Sequence, residues 1–278
     1  MIRQSKRIKA DDPEFYRLVK RLGYAGLIWA VLSLLGWFLL GQIVLLFCVI
    51  ALGGTLVTLQ MYLFNKAQTD NFHHYREIEA LFSLHKTVQI VQPLPPTRLW
   101  AASPDLLTII AAQIQQHRPK VVLELGSGIS TLISSYLLKA ANGGELFTLE
   151  HEAQFASHSL QQLEAHCLHD YATIIHAPLV PTTVKGETWR WYDPTKIPDM
   201  GKVDLLVIDG PPKRVQKLAR YPALPILFER LAQGAIIIVD DFSRPDEYEM
   251  VKRWIADYTL KVVEIHDNEK GAIVLQKC

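Results

Sequence analysis

Neither sign of charge is in excess in this sequence. Lys and Arg number 29 against 28 Asp and Glu, a formal net charge of +1 over 278 residues. No basic stripe interleaved with aromatics occurs, so the electrostatic footprint of a nucleic-acid binder is missing. Cysteine is scarce as well. Cys48, Cys167 and Cys278 are scattered, with no CxxC pair. This excludes a disulfide framework and a thiolate zinc centre, and fits a reducing compartment. Internal repeats and low-complexity tracts are absent too. The most informative absence is local: from Leu22 to Asn65, 44 consecutive residues pass without Asp, Glu, Lys, Arg or His.

One membrane-spanning helix needs about 20 apolar residues, so this run supplies two. Its most polar point is Gly41-Gln42, which predicts a helical hairpin with spans near 22–41 and 43–64 and a very short loop. No small-residue cleavage site followed by a polar start marks a removable signal peptide. Arg3, Lys6, Arg7, Lys9, Arg17, Lys20 and Arg21 precede the run, and Lys66, Arg76 and Lys86 follow it. A two-span hairpin puts both flanks on one side, and their basic excess predicts that side to be cytoplasmic. The expectation is a multi-pass inner-membrane protein whose N-terminus (1–21) and C-terminal domain face the cytoplasm.

Residues 66–102 read as a connecting helix followed by a Pro-rich linker. Ile78, Leu81, Phe82 and Leu84 have helical spacing, whereas Pro93, Pro95 and Pro96 enforce an extended segment. His73, His74 and His85 have no metal-like spacing and read as solvated. Ser103-Pro104 is a helix start, an N-cap with proline in the first turn. From there to residue 278 strand and helix patterns alternate. Strands are predicted at 120–125, 145–150, 172–176, 203–208, 235–239, 261–266 and 271–276, and helices at 130–141, 153–166, 220–231 and 245–257. Continuous apolar strands such as VDLLVI and GAIIIV indicate an α/β domain whose parallel sheet is covered on both faces.

In such a sheet, ligands sit beyond the carboxyl ends of the strands where strand order reverses. The stretch ELGSGIST places Gly126 and Gly128 at such an end. Ser127, Ser130 and Thr131 offer hydroxyls or amides to an anionic group at the next helix start. The dinucleotide fingerprint Gly-x-Gly-x-x-Gly fails because Thr131 stands at the third glycine, and no lysine follows to make a phosphate loop. A nucleoside carrying an amino-acid carboxylate and no phosphates suits the turn. Glu150, at the end of the second strand in LFTLEHE, stands where ribose hydroxyls are bound.

Three motifs, VVLELGSG at 121–128, LFTLEHE at 146–152 and VDLLVIDGPP at 203–212, resemble those of the class I S-adenosylmethionine-dependent methyltransferases. The likeness spans about residues 100–278 and includes a terminal pair of strands like that fold's antiparallel hairpin, giving a seven-stranded Rossmann-like sheet. HAPL, WYDP and RYPALP resemble more narrowly a bacterial group that is sometimes membrane-attached. The resemblance implies that Glu124, Gly126 and Gly128 line the methionine end of the donor, Glu150 the ribose and His176-Ala177 the adenine. HAPL departs from the usual acidic residue at that last position.

Methyl transfer to an alcohol needs in-line approach to the sulfonium and removal of a proton. Asp209 closes one strand and Asp240-Asp241 the next, so their carboxylates gather at one sheet edge beside the donor pocket, a set of oxygens suited to Mg²⁺. The set is similar to that of metal-dependent O-methyltransferases, although metal-free relatives also keep an acidic residue here. Lys213, and after it His151, are candidate bases or ordinary surface residues. Arg244, Asp246 and Glu247 contact an acceptor or start a helix. Trp189, Trp191 and Tyr192 stack on a sugar or pack on the sheet.

The leading expectation is a membrane-anchored methyltransferase acting on an oxygen of a polar acceptor, such as a sugar or lipid-linked glycan. Other readings are a different transferase or a hydroxylase-like enzyme on the same fold, and a non-catalytic nucleoside-binding membrane sensor or scaffold.

Overall fold

The computed structural model describes residues 13–95, 97, 101–268 and 270–278. Arg3, Lys6, Arg7 and Lys9, and positions 96 and 98–100 of the expected linker, lie outside the described residues. The chain divides into two compact units, Met1–His74 and Tyr75–Cys278.

Two helices, α1 (Pro13–Leu40) and α2 (Gln42–Thr87), meet at Gly41, whose φ of +79° ends the first. The stretches Arg17–Phe38 and Gln42–Thr87 are long and apolar enough to cross a membrane. Along them Leu27, Leu34, Phe38, Ile43, Phe47 and Ile50 are exposed. The sequence predicted a separate connecting helix from residue 66, but α2 is one element of 46 residues. The reason is local: residues 55–87 contain neither Pro nor Gly, so nothing interrupts the i to i−4 ladder.

The second unit opens its α/β domain with α3 (Pro104–His117), capped by Ser103, whose hydroxyl accepts from the Leu106 amide at 3.3 Å. Then follow β1 (Val121–Leu125), α4 (Ile129–Ala140), β2 (Glu145–Glu150), α5 (Ala153–Ala165), β3 (Ala172–His176), β4 (Leu179–Val184), β5 (Glu187–Tyr192) and β6 (Val203–Ile208). The chain ends with α6 (Ala223–Leu227), β7 (Leu231–Asp240), α7 (Pro245–Asp257), β8 (Leu260–His266) and β9 (Ala272–Lys277). Seven strands form one sheet in the order β3-β2-β1-β6-β7-β9-β8. Neighbours are parallel except that β9 runs against both β7 and β8. Strand order reverses between β1 and β6, the place where this class of sheet opens a crevice.

Side-chain alternation fills both faces. Leu123, Leu125, Ile237 and Val239 point into a core with α6, α7 and the β4–β5 hairpin. Val122, Val207, Ile236 and Ile238 point into the other, against α3, α4 and Leu163 of α5. This two-sided burial is why the strands read as unbroken apolar runs.

Two differences from the sequence reading bear on the site. The β4–β5 hairpin was not foreseen, because Pro181 argues against a strand. Lys185 and Gly186, with φ of +51° and +82°, make the two-residue turn that matches strand twist. The helix expected at 220–231 is only five residues of α6 plus a 3-10 turn at Phe228–Arg230, and β7 begins at Leu231. Pro222 and Pro225 lack the amide hydrogens that a longer helix would need, and Arg220 is drawn to the end of the sheet instead.

Candidate functional site

Strand β1 leads into Gly126, whose φ of +100° favours glycine, and whose amide donates to Leu149 O at 2.9 Å. The turn is held from beneath by two buried glutamates. Glu124 Oε2 accepts from Thr131 Oγ1 at 2.5 Å and Thr148 Oγ1 at 2.9 Å, and Thr131 Oγ1 accepts from the Gly128 amide at 3.1 Å. Burial raises the Glu124 carboxyl to about 7, against the lowering effect of the hydroxyls of Ser130, Thr131 and Thr148. Ser130 and Thr131 are themselves buried, so their side chains support the turn from inside.

Glu150 works in the opposite sense. Its Oε2 accepts from the Ser127 amide at 2.9 Å and the Ser127 hydroxyl at 3.2 Å, and its Oε1 from the Glu152 amide at 2.9 Å. His151 Nδ1 lies 2.9 Å from the same Oε1. Burial pushes this carboxyl up, but His151 and the amides of Glu152 and Ser127 outweigh it and hold it below its ordinary value. Ser159 Oγ donates to Ser127 Oγ at 2.9 Å and ties α5 to the turn. His176, exposed, stands in register with Glu150 at the end of β3, and the buried Ala177 donates its amide to Glu150 O.

Across β1 the acidic residues meet as the sequence predicted. Asp209, Asp240 and Asp241 each place a carboxylate oxygen within 4.8 Å of the others. Arg220, which the sequence reading missed, lies buried among them. Its Nη2 donates to Asp209 Oδ1 at 3.0 Å and Asp241 Oδ2 at 2.8 Å, and its Nη1 to Asp240 O at 3.0 Å. Arg244 reaches Asp241 Oδ2 at 2.6 Å, and Glu247 lies 3.8 Å from the same guanidinium. Burial raises Asp209 and Asp240, Asp240 by far the more, with the neighbouring carboxylates adding to it and Arg220 opposing. Arg220 is held above its ordinary value because Asp241 and Asp209 outweigh the effect of burial. Its signal was present in the sequence: it is the only charge between Lys217 and Glu229.

These donors suit a hard divalent cation. Arg220 already holds one oxygen each of Asp209 and Asp241. Both oxygens of Asp240 and Oδ1 of Asp241 are buried and have no donor among the described residues. Those are the atoms a cation would take.

The remaining candidates separate. His151 belongs to the glutamate side, 15% exposed and edge-to-face with the Tyr192 ring at 6.1 Å. Lys213 is exposed on a 3-10 turn, Lys213–Val215. Trp189 and Trp191 pack inside the core, Trp189 against Tyr221 at 5.1 Å.

Compared with protein families, residues 123–242 match one described as a methyltransferase domain. Among solved structures, the chain is similar to an SAH-bound methyltransferase from Podospora anserina, with 16% identity, 77% of this chain and 97% of that one covered, and a TM-score of 0.54. It is also similar to an O-methyltransferase from Bacillus cereus in complex with SAH, with 16% identity, 73% and 90% covered, and a TM-score of 0.51. At such identities the likeness is one of fold. Curated proteins yield no match.

Proposed function

We propose, from the match of residues 123–242 to a methyltransferase domain, that the chain is a membrane-anchored S-adenosylmethionine-dependent methyltransferase acting on an oxygen of a polar acceptor. The observation that carries this reading is the juxtaposition of the glycine turn over Glu124 and Glu150 with the carboxylate cluster on the neighbouring strand ends. The donor lies along Glu124, Gly126, Ser127, Gly128, Ser130 and Thr131, with Glu150 and His151 toward the ribose and His176-Ala177 toward the adenine.

Asp209 borders both the donor and the acceptor. Its side chain is 20% exposed against 4% for Asp241, so it is the member of the cluster that an acceptor hydroxyl reaches. Its raised pKa makes it a better proton acceptor than a surface carboxylate, and Arg220 fixes its orientation. A divalent cation held by the free oxygens of Asp240 and Asp241 beside Asp209 would lower the acceptor's pKa. The proton leaves to Asp209 as the acceptor oxygen takes the methyl group in line and the donor departs as S-adenosylhomocysteine.

The anchor in this reading is the pair of apolar helices α1 and α2, long enough to cross the inner membrane. Arg17, Lys20 and Arg21 before them, and Lys66, Arg76 and Lys86 after, put both flanks on the cytoplasmic side. An enzyme so tethered meets acceptors at the inner face, a class that includes sugars of lipid-linked glycans.

Calorimetric titration of S-adenosylmethionine into the detergent-solubilised chain, with magnesium and then with EDTA, tests the reading. Binding in both conditions supports the donor site and leaves the cation to the acceptor. Binding only with magnesium ties the carboxylate cluster to the donor. No binding in either condition overturns the proposal.

A further inference from the structure

Several buried polar atoms beside this site lack a partner among the described residues, and one of them, the Tyr192 hydroxyl, stands where the two glycine turns meet. The Tyr192 side chain is fully buried, yet its hydroxyl has no hydrogen-bond partner among the described residues. Such a group is costly to keep unless something pairs with it. Its position is specific. A Cβ added to Gly210 would stand 2.1 Å from this hydroxyl, 3.1 Å from Leu125 O and 3.4 Å from Gly126 Cα. The absence of a side chain at residue 210 therefore makes room for the phenol at the seam between the turns after β1 and β6.

The ring is held as firmly as the hydroxyl is free. It meets Trp191 edge-to-face at 5.4 Å and His151 at 6.1 Å. Tyr192 pairs with Leu179 across the β4–β5 hairpin, and the following Asp193 amide donates to Pro178 O at 3.0 Å. The hairpin, which lies outside the main sheet, thus delivers one rigid hydroxyl to the two glycine turns. Burial pushes the phenol well above its ordinary pKa, so it stays a neutral group able both to donate and to accept.

We infer that Tyr192 is a donor-binding residue whose hydroxyl hydrogen-bonds the methionine portion of S-adenosylmethionine. The inference rests on the donor reading above. The hydroxyl stands at the seam of Gly126 and Gly210, the end of the pocket that the donor reading gives to the methionine portion.

The test is Tyr192→Phe in the full detergent-solubilised chain, with calorimetric affinities for S-adenosylhomocysteine and for adenosine, which lacks the methionine portion. The expected result is a loss of about tenfold for S-adenosylhomocysteine and no change for adenosine. Thermal stability should be unchanged or higher, since an unpaired buried hydroxyl has been removed. Gly210→Ala, whose Cβ displaces the hydroxyl, should reproduce the selective loss. Equal affinity in wild type and Tyr192→Phe overturns the inference, as does an equal loss for both ligands or a fall in stability with affinity intact. A wild-type chain that binds neither ligand overturns the donor reading itself, which separates the two failures.

Discussion

Apolar and charged residues trade places between the two units. In α1 and α2, side chains such as Leu34, Phe38, Phe47 and Ile50 are exposed, and no charge occurs from Leu22 to Asn65. In the sheet domain, Leu123, Ile237 and Leu275 are fully buried, and so, almost completely, are Glu124, Glu150, Asp240, Asp241 and Arg220. Each region breaks one half of the usual rule that apolar groups go inside and charges outside. The first exception suits a hydrocarbon surrounding, which leaves no reason to hide a Leu. The second costs folding energy that only paired charges and a functional site repay. Unusual placement, more than composition, locates what the molecule does.

The contrast is most sharply broken at Asp209. Asp209→Asn keeps the shape but removes the proposed proton acceptor. It should lower transfer of labelled methyl groups into the host membrane fraction by about two to four orders of magnitude, with calorimetric donor affinity retained. Unchanged transfer would remove Asp209 from the chemistry. Arg220→Met takes the guanidinium from Asp209 and leaves Asp241 with Arg244 alone; breaking this buried network should cost about 3–5 kcal/mol, read as a fall in the denaturant midpoint of the sheet domain. A midpoint equal to wild type would mean that the guanidinium is dispensable.

On the other side of the comparison, Ile50→Arg puts a charge among the exposed apolar residues of α2. At a span centre that costs about 2.5–3.5 kcal/mol, so the fraction of chain resisting alkaline extraction from membranes should drop while the domain's melting point stays put. In a helix merely exposed to water the same change would leave the extracted fraction alone.

The smallest effect concerns Glu124. Burial raises its carboxyl from the ordinary 4.5 to about 7 in the folded state, so the folded state binds the extra proton. The stabilisation this gives is complete below about pH 4.5 and is lost as pH rises through about 7. Glu124→Gln removes that dependence. Wild type should therefore lose about 1–3 kcal/mol relative to the variant between those pH values, measured as the difference of two melting curves. Glu150, with a depressed pKa, slopes the other way in both proteins and cancels in that difference.

Much of this was legible in the chain. Strand positions followed from runs such as VDLLVI because two-sided burial leaves no polar face to confuse the period. The glycine turn and the three aspartates followed because strand ends in a parallel sheet share an edge. The hairpin of β4 and β5 stayed hidden because Pro181 contradicts strand propensity, and only its Lys185-Gly186 turn signals it. Arg220 stayed hidden because its partners are some distance off in sequence and no local pattern announces a buried cation. The unpaired hydroxyl of Tyr192 was beyond reach, since it depends on how close Gly210 comes in three dimensions. Residue order along the chain says which groups share an edge, but not which of them lack a partner.

The pairing of β1 with β6 has a consequence in time. Val122 and Leu205 are neighbours although about 80 residues separate them, and closing so long a loop is entropically slow. During synthesis the helical hairpin emerges first, then the glycine turn, and only much later the aspartates. The apolar helices are therefore complete before any cleft exists, and the turn waits, half built, with the edge of β1 that faces β6 unpaired. Chaperone demand and aggregation risk should concentrate in that interval, and a translation pause placed between β5 and β6 would lengthen it.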